Sequence, residues 1–432
     1  MMKKVLMIAH QFPPMGGAGV QRTTKFVKYL RTFGWEPVVF TRDVKNMALK
    51  DESLVKDIPK GIQVVRTSPW DFTQLPGLLK LGGKVLHHKI LIPDTERLWQ
   101  VFSKRKLSNI VKNGNFDAIY TTSYPYSDHL LGLYLKNKFP QIPWVADFRD
   151  EWTNNPYILD NPHYSLRSKI ENSMEKNVLI HADCLITNTP VMMQNFVKKY
   201  PFAEEKFFVI PNGYDEADFE GLSKHKQKNE KLTFTYTGSF YKRRKPDILF
   251  QALGELLREN PIQRSDLCIR LIGNFKSSTM DGLIKKYDLN EIIHVLPYMQ
   301  HKECIDYLMK SDALLLIEGG GPGAEAFYTG KVFEYMNTGR PILAIIPEKG
   351  AAAQLIRSTQ TGTVSDSDDV TKTKENILAL YQAWKRNDNE FSPKWAEIQK
   401  FERKELTKEL AVVFAEAMQR SQIARESKSE KV

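Results

Sequence analysis

A lysine and a glutamate three residues apart follow a glycine-rich loop. Lys331 and Glu334 lie in YTGKVFEYMNTGRPILA, residues 328–344, after the loop EGGGPGAEAF. Residues three apart share one face of a helix. A cation beside exposed backbone N–H groups suits phosphate, and a carboxylate one turn later suits hydroxyls. The pattern predicts a nucleotide-sugar pocket, and an exposed ion pair is the simpler alternative.

A second cationic segment follows an apolar run in TGSFYKRRKPDILFQAL, which begins at Thr237. Its four consecutive cations, Lys242 to Lys245, stand between an expected strand and an expected helix. Two cations converging on a diphosphate would stabilise a leaving group. Only one or two of the four can reach a ligand, and a solvated basic turn is the alternative.

Carboxylates mark the end of another expected strand, in VADFRDEW. Asp147 and Asp150 are candidates for catalysis or acceptor binding, whereas an Asp–Arg pair that caps the loop is the competing interpretation.

The SDSDD segment at residues 365–369 contains a DxD pattern that could hold a divalent metal. Its place in a polar loop before a helix predicts a turn or cap instead.

The first loop, FPPMGGAGVQR, places Gly16, Gly17 and Gly19 between an expected strand and helix. Glycines at this position let a phosphate approach the backbone. The spacing is neither a GxGxxG fingerprint nor a Walker loop. A sharp turn that needs glycine explains it equally well.

These residues require parallel sheets to position them. With 432 residues, the chain is long enough for two domains. Apolar strands alternate with amphipathic helices, which predicts two α/β domains with parallel sheets. We expect domains at residues 1–210 and 211–395, a helix at 396–418 that packs back toward the first domain, and a disordered tail at 419–432. The strands are expected at 4–9, 37–41, 118–121, 144–147 and 184–187, and from 232, 269, 293, 313 and 341.

Composition limits the partners. Residues 1–112 carry 20 Lys and Arg against 8 Asp and Glu, while the whole chain has a net charge of +11. This basic end could contact nucleic acid, anionic lipid or an acidic acceptor, or it could simply aid solubility. No recognised nucleic-acid-reading module accompanies it, so nucleic acid is the least favoured partner.

The cysteines and the hydropathy of the chain indicate the cellular compartment of the protein. Three separated cysteines fit neither a disulfide framework nor a zinc site, and we expect buried thiols. The first apolar run, of about six residues, is too short for a secretory signal. No apolar stretch is long enough to span a membrane. We expect a cytoplasmic protein, peripheral to the inner face of the cell membrane if it binds lipid.

Taken together, these segments resemble the retaining family-4 glycosyltransferases of the GT-B type, with two Rossmann-like domains facing across a cleft. TTSYPYSDHLLG, VIPNGYDEADF and IRLIGN add to the resemblance, which covers nearly the whole chain. It implies sugar transfer from a nucleoside-diphosphate-sugar, with retention and without a metal or other cofactor. A nucleotide-sugar epimerase, a phosphorylase or a non-catalytic scaffold on the same fold are the alternatives.

The resemblance also implies roles for individual residues. Glu334 matches the carboxylate that binds ribose, Arg244 or Lys245 the diphosphate cation, and Asp150, with Asp147 behind it, a position near the reacting sugar. The implied catalytic residues are Asp147, Asp150, Arg244 and Lys245. The implied donor-binding residues are Gly16, Gly17, Gly238, Arg244, Lys245, Tyr298, Thr329, Gly330, Lys331 and Glu334.

One departure concerns the family's paired glutamates. The spacing that leads to Glu334 places Ala326 where the first glutamate belongs, and Glu325 is one residue away. The implied acceptor is a saccharide, lipid-linked if the segment at residues 70–99, with its aromatic residues and lysines, lies on an anionic membrane. A core-packed insertion is the alternative for that segment.

Overall fold

The computed structural model describes residues 2–16, 18–44, 51–68, 91–162, 164–223, 228–275, 277–388 and 390–429. The chain forms two compact units. One comprises residues 1–211 and 403–432, and the other residues 212–402. The expected boundary at 210/211 lies one residue from this division.

The first unit is built on a parallel sheet of seven strands in the order β3-β2-β1-β4-β5-β6-β7. Its strands are rich in buried apolar residues, as a sheet covered on both faces requires. They are β1 Lys3–Ile8, β2 Trp35–Arg42, β3 Gln63–Thr67, β4 Ala118–Ser123, β5 Trp144–Phe148, β6 Cys184–Thr187 and β7 Phe207–Val209. The order reverses between β1 and β4, which defines a topological switch point.

Seven α-helices of the described chain belong to this unit. They are α1 Ala18–Tyr29, α2 Arg97–Gly114, α3 Ser127–Lys138, α4 Pro156–Asp160, α5 Ser165–His181, α6 Pro190–Lys199 and, from the end of the chain, α14 Arg403–Ser429. The apolar stripe of α14, which includes Leu410 and Phe414, is buried in the same core as Val5 and Tyr120.

The helix α14 corrects the expected C-terminal boundaries. It begins at Arg403, and it continues to Ser429 where a disordered tail was expected from residue 419. Side-chain pairs one turn apart support this extension: Arg420 contacts Glu416 at 2.7 Å and Gln422 contacts Glu426 at 2.9 Å. The disordered-tail prediction was therefore wrong for residues 419–429.

The second unit has a parallel sheet of six strands in the order β10-β9-β8-β11-β12-β13. Its strands are β8 Leu232–Thr237, β9 Leu267–Ile272, β10 Ile293–Leu296, β11 Ala313–Ile317, β12 Ile342–Ile345 and β13 Gly362–Ser365. Its helices are α7 Asp247–Glu259, α8 Ser277–Lys286, α9 His301–Met309, α10 Lys331–Asn337, α11 Ala351–Thr359, α12 Val370–Lys385 and α13 Trp395–Ile398. Here the strand order reverses between β8 and β11.

The α/β prediction with two parallel sheets is confirmed. Three short strands, β3, β7 and β13, lie outside the expected ranges, because at five, three and four residues they offer little periodicity to recognise. Of the three free cysteines, Cys184 is buried and the other two are half-buried, so the buried-thiol prediction was right only for Cys184. Among the described residues, no helix is both long and apolar enough to cross a membrane.

Candidate functional site

The switch point of the second sheet brings the cationic segment and the glycine-rich loop together. The first follows β8 and the second follows β11, and these strands are neighbours. Parallel strands end at the same edge of a sheet, and open α/β folds bind ligands at the edge where the strand order reverses. Side chains more than 70 residues apart in sequence therefore meet here.

Lys331 is the centre of this cluster. Its Nζ donates to the carbonyl oxygen of Thr237 at 2.5 Å and lies 4.3 Å from the centre of the Tyr236 ring. Burial and, to a lesser extent, the nearby Arg244 charge together lower the pKa of Lys331 to about 7, against the opposing effects of Glu318 and Glu334. The amine can therefore gain a proton when an anion binds.

Arg244 forms a bidentate ion pair with Glu318. Its Nε and Nη2 donate to the carboxylate at 2.9 and 2.5 Å. Burial opposes the charged form, yet Glu318 raises the pKa of Arg244 above its ordinary value. Among the described residues, no acceptor reaches its Nη1. Glu318 thus orients the guanidinium and leaves one donor group for a ligand.

Glu334 contacts His301 at the start of α9. The His301 Nε2 lies 2.8 Å from Glu334 Oε1, and both side chains are largely buried. This pairing joins α9 and α10 beside Lys331. The i,i+3 alternative of the sequence, a Lys331–Glu334 ion pair, is absent from the described contacts.

The structure gives the glycines here a packing role. A Cβ on Gly238, at φ +119°, would lie 2.7 Å from the Lys331 Nζ. A Cβ on Gly319 would lie 2.2 Å from the Arg243 carbonyl oxygen. Close packing against the cationic segment therefore explains part of the glycine content, in addition to any phosphate contact.

The other predicted donor residues differ in exposure. Lys245 and Tyr298 are exposed, Thr329 is buried, and Gly330 caps the seven-residue helix α10. Glu325 is exposed, whereas Ala326 is buried.

In the first unit, Asp147 lies in a buried ion pair rather than at an open surface. Arg22 donates to both of its oxygens, at 2.8 and 3.0 Å, and also to the carbonyl oxygens of Ile210 and Pro211. The Tyr120 hydroxyl donates to Asp147 as well. These contacts give Asp147 a structural role, and its predicted catalytic role stays a prediction.

Asp150 is in a different environment. Among the described residues, no group donates a hydrogen bond to its carboxylate. Burial raises the pKa of Asp150 above its ordinary value, against the opposing charge of Arg149. Arg149 itself donates to the carbonyl oxygens of Gly19, Ser123 and, at 2.7 Å, Tyr124. Arg149 thereby ties together the loops that follow β1, β4 and β5, and Asp150 stands beside this junction.

The remaining sequence predictions have mixed outcomes. Gly16 is buried in the first loop, and Gly17 lies outside the described residues. Asp369 accepts from the backbone N–H of Lys372 at 2.8 Å and caps α12, as the cap interpretation of the DxD segment expects. Residues 70–90 of the proposed surface segment lie outside the described residues. At its end, Trp99 is buried and donates to Thr67 at 2.8 Å, so it cannot serve as an exposed anchor.

Three residues of these clusters were missed by sequence reasoning. Glu318 directly follows the apolar run of β11, so its place at a carboxyl strand end was a readable signal. Arg149 stood between two candidate carboxylates. His301 had no signal, because only packing of α9 beside α10 brings it to Glu334.

Two family models match this chain in succession. Residues 15–218 match Glycosyltransferase Family 4, and residues 219–392 match Glycosyl transferases group 1. The chain belongs to the family-4 glycosyltransferases. The two matches meet at residues 218 and 219, close to the division between the two units.

Individual relatives of this glycosyltransferase have low sequence identity to it. A D-inositol 3-phosphate glycosyltransferase from Kineococcus radiotolerans is 26% identical over 153 residues, which is 32% of this chain and 35% of the relative. The match thus spans about a third of that curated relative. Among solved structures, a glycosyltransferase from Rickettsia africae has a TM-score of 0.65 at 15% identity and covers 96% of this chain and 99% of its own. Anabaena HepE in complex with UDP has a TM-score of 0.55 at 15% identity, with 99% and 100% covered. These structures share the GT-B fold.

Proposed function

We propose that this glycosyltransferase transfers a hexosyl group from a nucleoside-diphosphate-sugar to a saccharide acceptor, with retention of anomeric configuration and without a metal or other cofactor. The observation that carries the proposal is the cluster at the switch point of the second sheet. There, Arg244 and Lys331 supply cations beside the carboxylate of Glu334. UDP, which the Anabaena structure contains, is the first nucleotide to test.

The cluster accounts for the chemistry that such a transfer needs. The bond from the anomeric carbon to the donor diphosphate breaks, and a bond to the acceptor oxygen forms on the same face of the sugar. The acceptor proton passes to the departing diphosphate oxygen. Arg244 Nη1 and protonated Lys331 stabilise the negative charge that develops on the diphosphate, and Glu334 accepts hydrogen bonds from ribose hydroxyls.

Asp150 is proposed to act on the acceptor side. Its carboxylate is not engaged by other described groups and lies at the carboxyl end of β5, where a hydroxyl could be oriented.

The basic surplus of the N-terminal residues supports a further proposal. The acceptor is lipid-linked, and the cytoplasmic enzyme binds peripherally to anionic membrane. The protein is expected to float with anionic vesicles but not with neutral ones. Equal flotation of the protein with both kinds of vesicle would contradict the membrane proposal.

Nucleotide binding tests the core of the proposal. Calorimetry with UDP, GDP and ADP is expected to identify a nucleoside diphosphate that binds wild-type protein. Glu334→Ala should weaken that binding by about tenfold to a hundredfold, since hydrogen bonds to a charged group are lost. Glu303→Ala, which removes an exposed carboxylate on neighbouring α9, is the matched control. Unchanged affinity in Glu334→Ala would remove the ribose-binding role.

A transfer assay tests the reaction class. Release of nucleoside diphosphate that depends on a saccharide acceptor is expected of a transferase. Release without an acceptor, or conversion of the donor sugar alone, would instead indicate the epimerase alternative.

A further inference from the structure

A cavity of about 510 Å³ lies within the first unit, between the loop after β5 and the helices α5 and α6. Its volume is in the range of about 300–1,000 Å³ that small-molecule sites occupy. The residues that line it include three asparagines, two glutamates and one phenylalanine: Asn154, Asn172, Asn195, Glu151, Glu175 and Phe196.

One wall of the cavity is held rigidly by Glu175. This buried carboxylate accepts from the Thr153 backbone N–H at 2.9 Å, from the Lys199 ammonium at 2.6 Å and from the Tyr200 hydroxyl at 2.9 Å. The helix α5, the loop after β5 and the end of α6 are thereby connected through one side chain. A wall whose own polar groups are satisfied stays in place when a ligand binds.

Another part of the lining is formed by Glu151 and its amide neighbours. Glu151 is 4% exposed, and its Oε2 accepts from Asn154 Nδ2 at 2.9 Å. Burial raises the pKa of Glu151 to about 7, although hydrogen bonds from Asn154 and Asn195 oppose that effect. Near neutral pH its carboxyl group can therefore donate as well as accept a hydrogen bond.

The charges around the cavity balance. Glu151 and Glu175 are matched in number by Lys198 and Lys199, so the lining has no formal net charge when both carboxylates are ionised. A nucleotide or other phosphate would lack the surplus of cations that it needs. Primary amides offer donors and acceptors together, which suits a ligand with many hydroxyl groups.

We propose that this cavity is a saccharide-binding subsite, separate from the nucleotide cluster of the second unit. Glu151 directly follows Asp150, and adjacent Cα atoms are about 3.8 Å apart. A saccharide bound in the cavity is therefore close to the residue assigned to the acceptor side. On the proposed function, from which this role follows, the subsite holds an outer sugar of an extended oligosaccharide acceptor.

Saturation-transfer NMR without nucleotide tests the subsite directly. The probes are neutral oligosaccharides of three to five units, built from glucose, galactose, mannose or N-acetylglucosamine. At least one is expected to bind wild-type protein. Asn195→Leu and Asn172→Ala, on two different helices, should each weaken binding by about tenfold, since a hydrogen bond is lost. Gln194→Leu, exposed on α6 beside Asn195 but outside the lining, should bind as wild type does.

The outcomes separate this subsite from the nucleotide proposal. Absence of binding by every probe overturns the subsite, as does binding to both asparagine variants with wild-type affinity. If nucleoside diphosphates then still bind, the proposed function stands without it. If a saccharide binds as expected while no nucleoside diphosphate binds, the subsite stands and the nucleotide proposal falls. Thermal unfolding checks that each variant is folded. If Asn195→Leu does not fold, Asn172→Ala alone tests the subsite.

Discussion

Lys331 is a buried lysine whose protonation is coupled to its surroundings. Its pKa of about 7 in the folded protein lies below the value of about 10.4 for a lysine in an unfolded chain. Between these values the unfolded chain binds more protons, so the stability of the second unit rises with pH across that window. Above about pH 7 the amine is mainly neutral in this position, and a bound anion would favour its charged form.

Binding of a nucleoside diphosphate should therefore draw a proton onto Lys331. Calorimetry in buffers of different ionisation enthalpy should show uptake that approaches one proton at about pH 8.5 and declines toward zero at about pH 6. Lys331→Met should bind more weakly and show less uptake. Equal binding enthalpies in all buffers at the higher pH would contradict the role of Lys331.

Asp147 and Asp150 are expected to respond differently to substitution, because Asp147 lies in a buried ion pair whereas Asp150 has a proposed role on the acceptor side. Asp147→Asn leaves Arg22 buried without a charged partner and should cost about 3–5 kcal/mol in the free energy of unfolding of the first unit. Asp150→Asn removes no described hydrogen bond, so it should retain near wild-type stability while transfer falls by about a hundredfold. Urea unfolding and an initial-rate assay measure the two effects. Full activity in Asp150→Asn would refute its acceptor-side role.

At the scale of elements, identical substitutions in two helices should have opposite effects. In α3, a Cβ on Gly132 would lie 2.3 Å from the buried indole of Trp144, and a rigid ring cannot move aside easily. In α8, a Cβ on the exposed Gly282 would have no heavy atom within 4 Å. Both positions lie inside helices, where alanine is intrinsically preferred.

We expect Gly132→Ala to destabilise the first unit by about 1–3 kcal/mol through overpacking. Gly282→Ala should stabilise the second unit by about 0.5–1 kcal/mol, because propensity acts there without steric cost. Thermal or urea unfolding of both variants measures the contrast. Stabilisation by Gly132→Ala would show that the packing of α3 on β5 is looser than described.

At the scale of the whole molecule, the end of the chain completes the core of its first unit. Phe414 of α14 is fully buried, with its ring 4.9 Å from Trp35 and 6.1 Å from Tyr120. The first unit therefore contains two segments far apart in sequence, and both contribute to its core.

Phe414→Ala should destabilise the first unit by about 3–5 kcal/mol, through lost burial and the cavity left behind. Limited proteolysis with mass spectrometry should show earlier cleavage within residues 1–211. Val412→Ala, on the same helix but 62% exposed, is the control and should behave as wild type. Equal protection in Phe414→Ala would indicate that α14 contributes little to this core.

The sequence determined the architecture because strands buried on both faces read as apolar runs. The apolar runs of β1, β11 and β12 and the glycine-rich turns sufficed to predict two parallel sheets and the family. They also placed Lys331, Glu334 and Arg244 at strand ends, because the order of elements along the chain fixes which side chains follow a strand. Their roles in binding remain predictions.

Only the tertiary structure decided the partners of these side chains. Arg244 pairs with Glu318 and Glu334 with His301, because β8 lies beside β11 and α9 beside α10, and no local pattern encodes such neighbours. The sequence shows Asp147 and Asp150 only as two aspartates three residues apart. In the structure, Asp147 is buried against Arg22, whereas Asp150 is not. Partner choice depends on distances between residues far apart in sequence, and those distances exist only once the chain has packed.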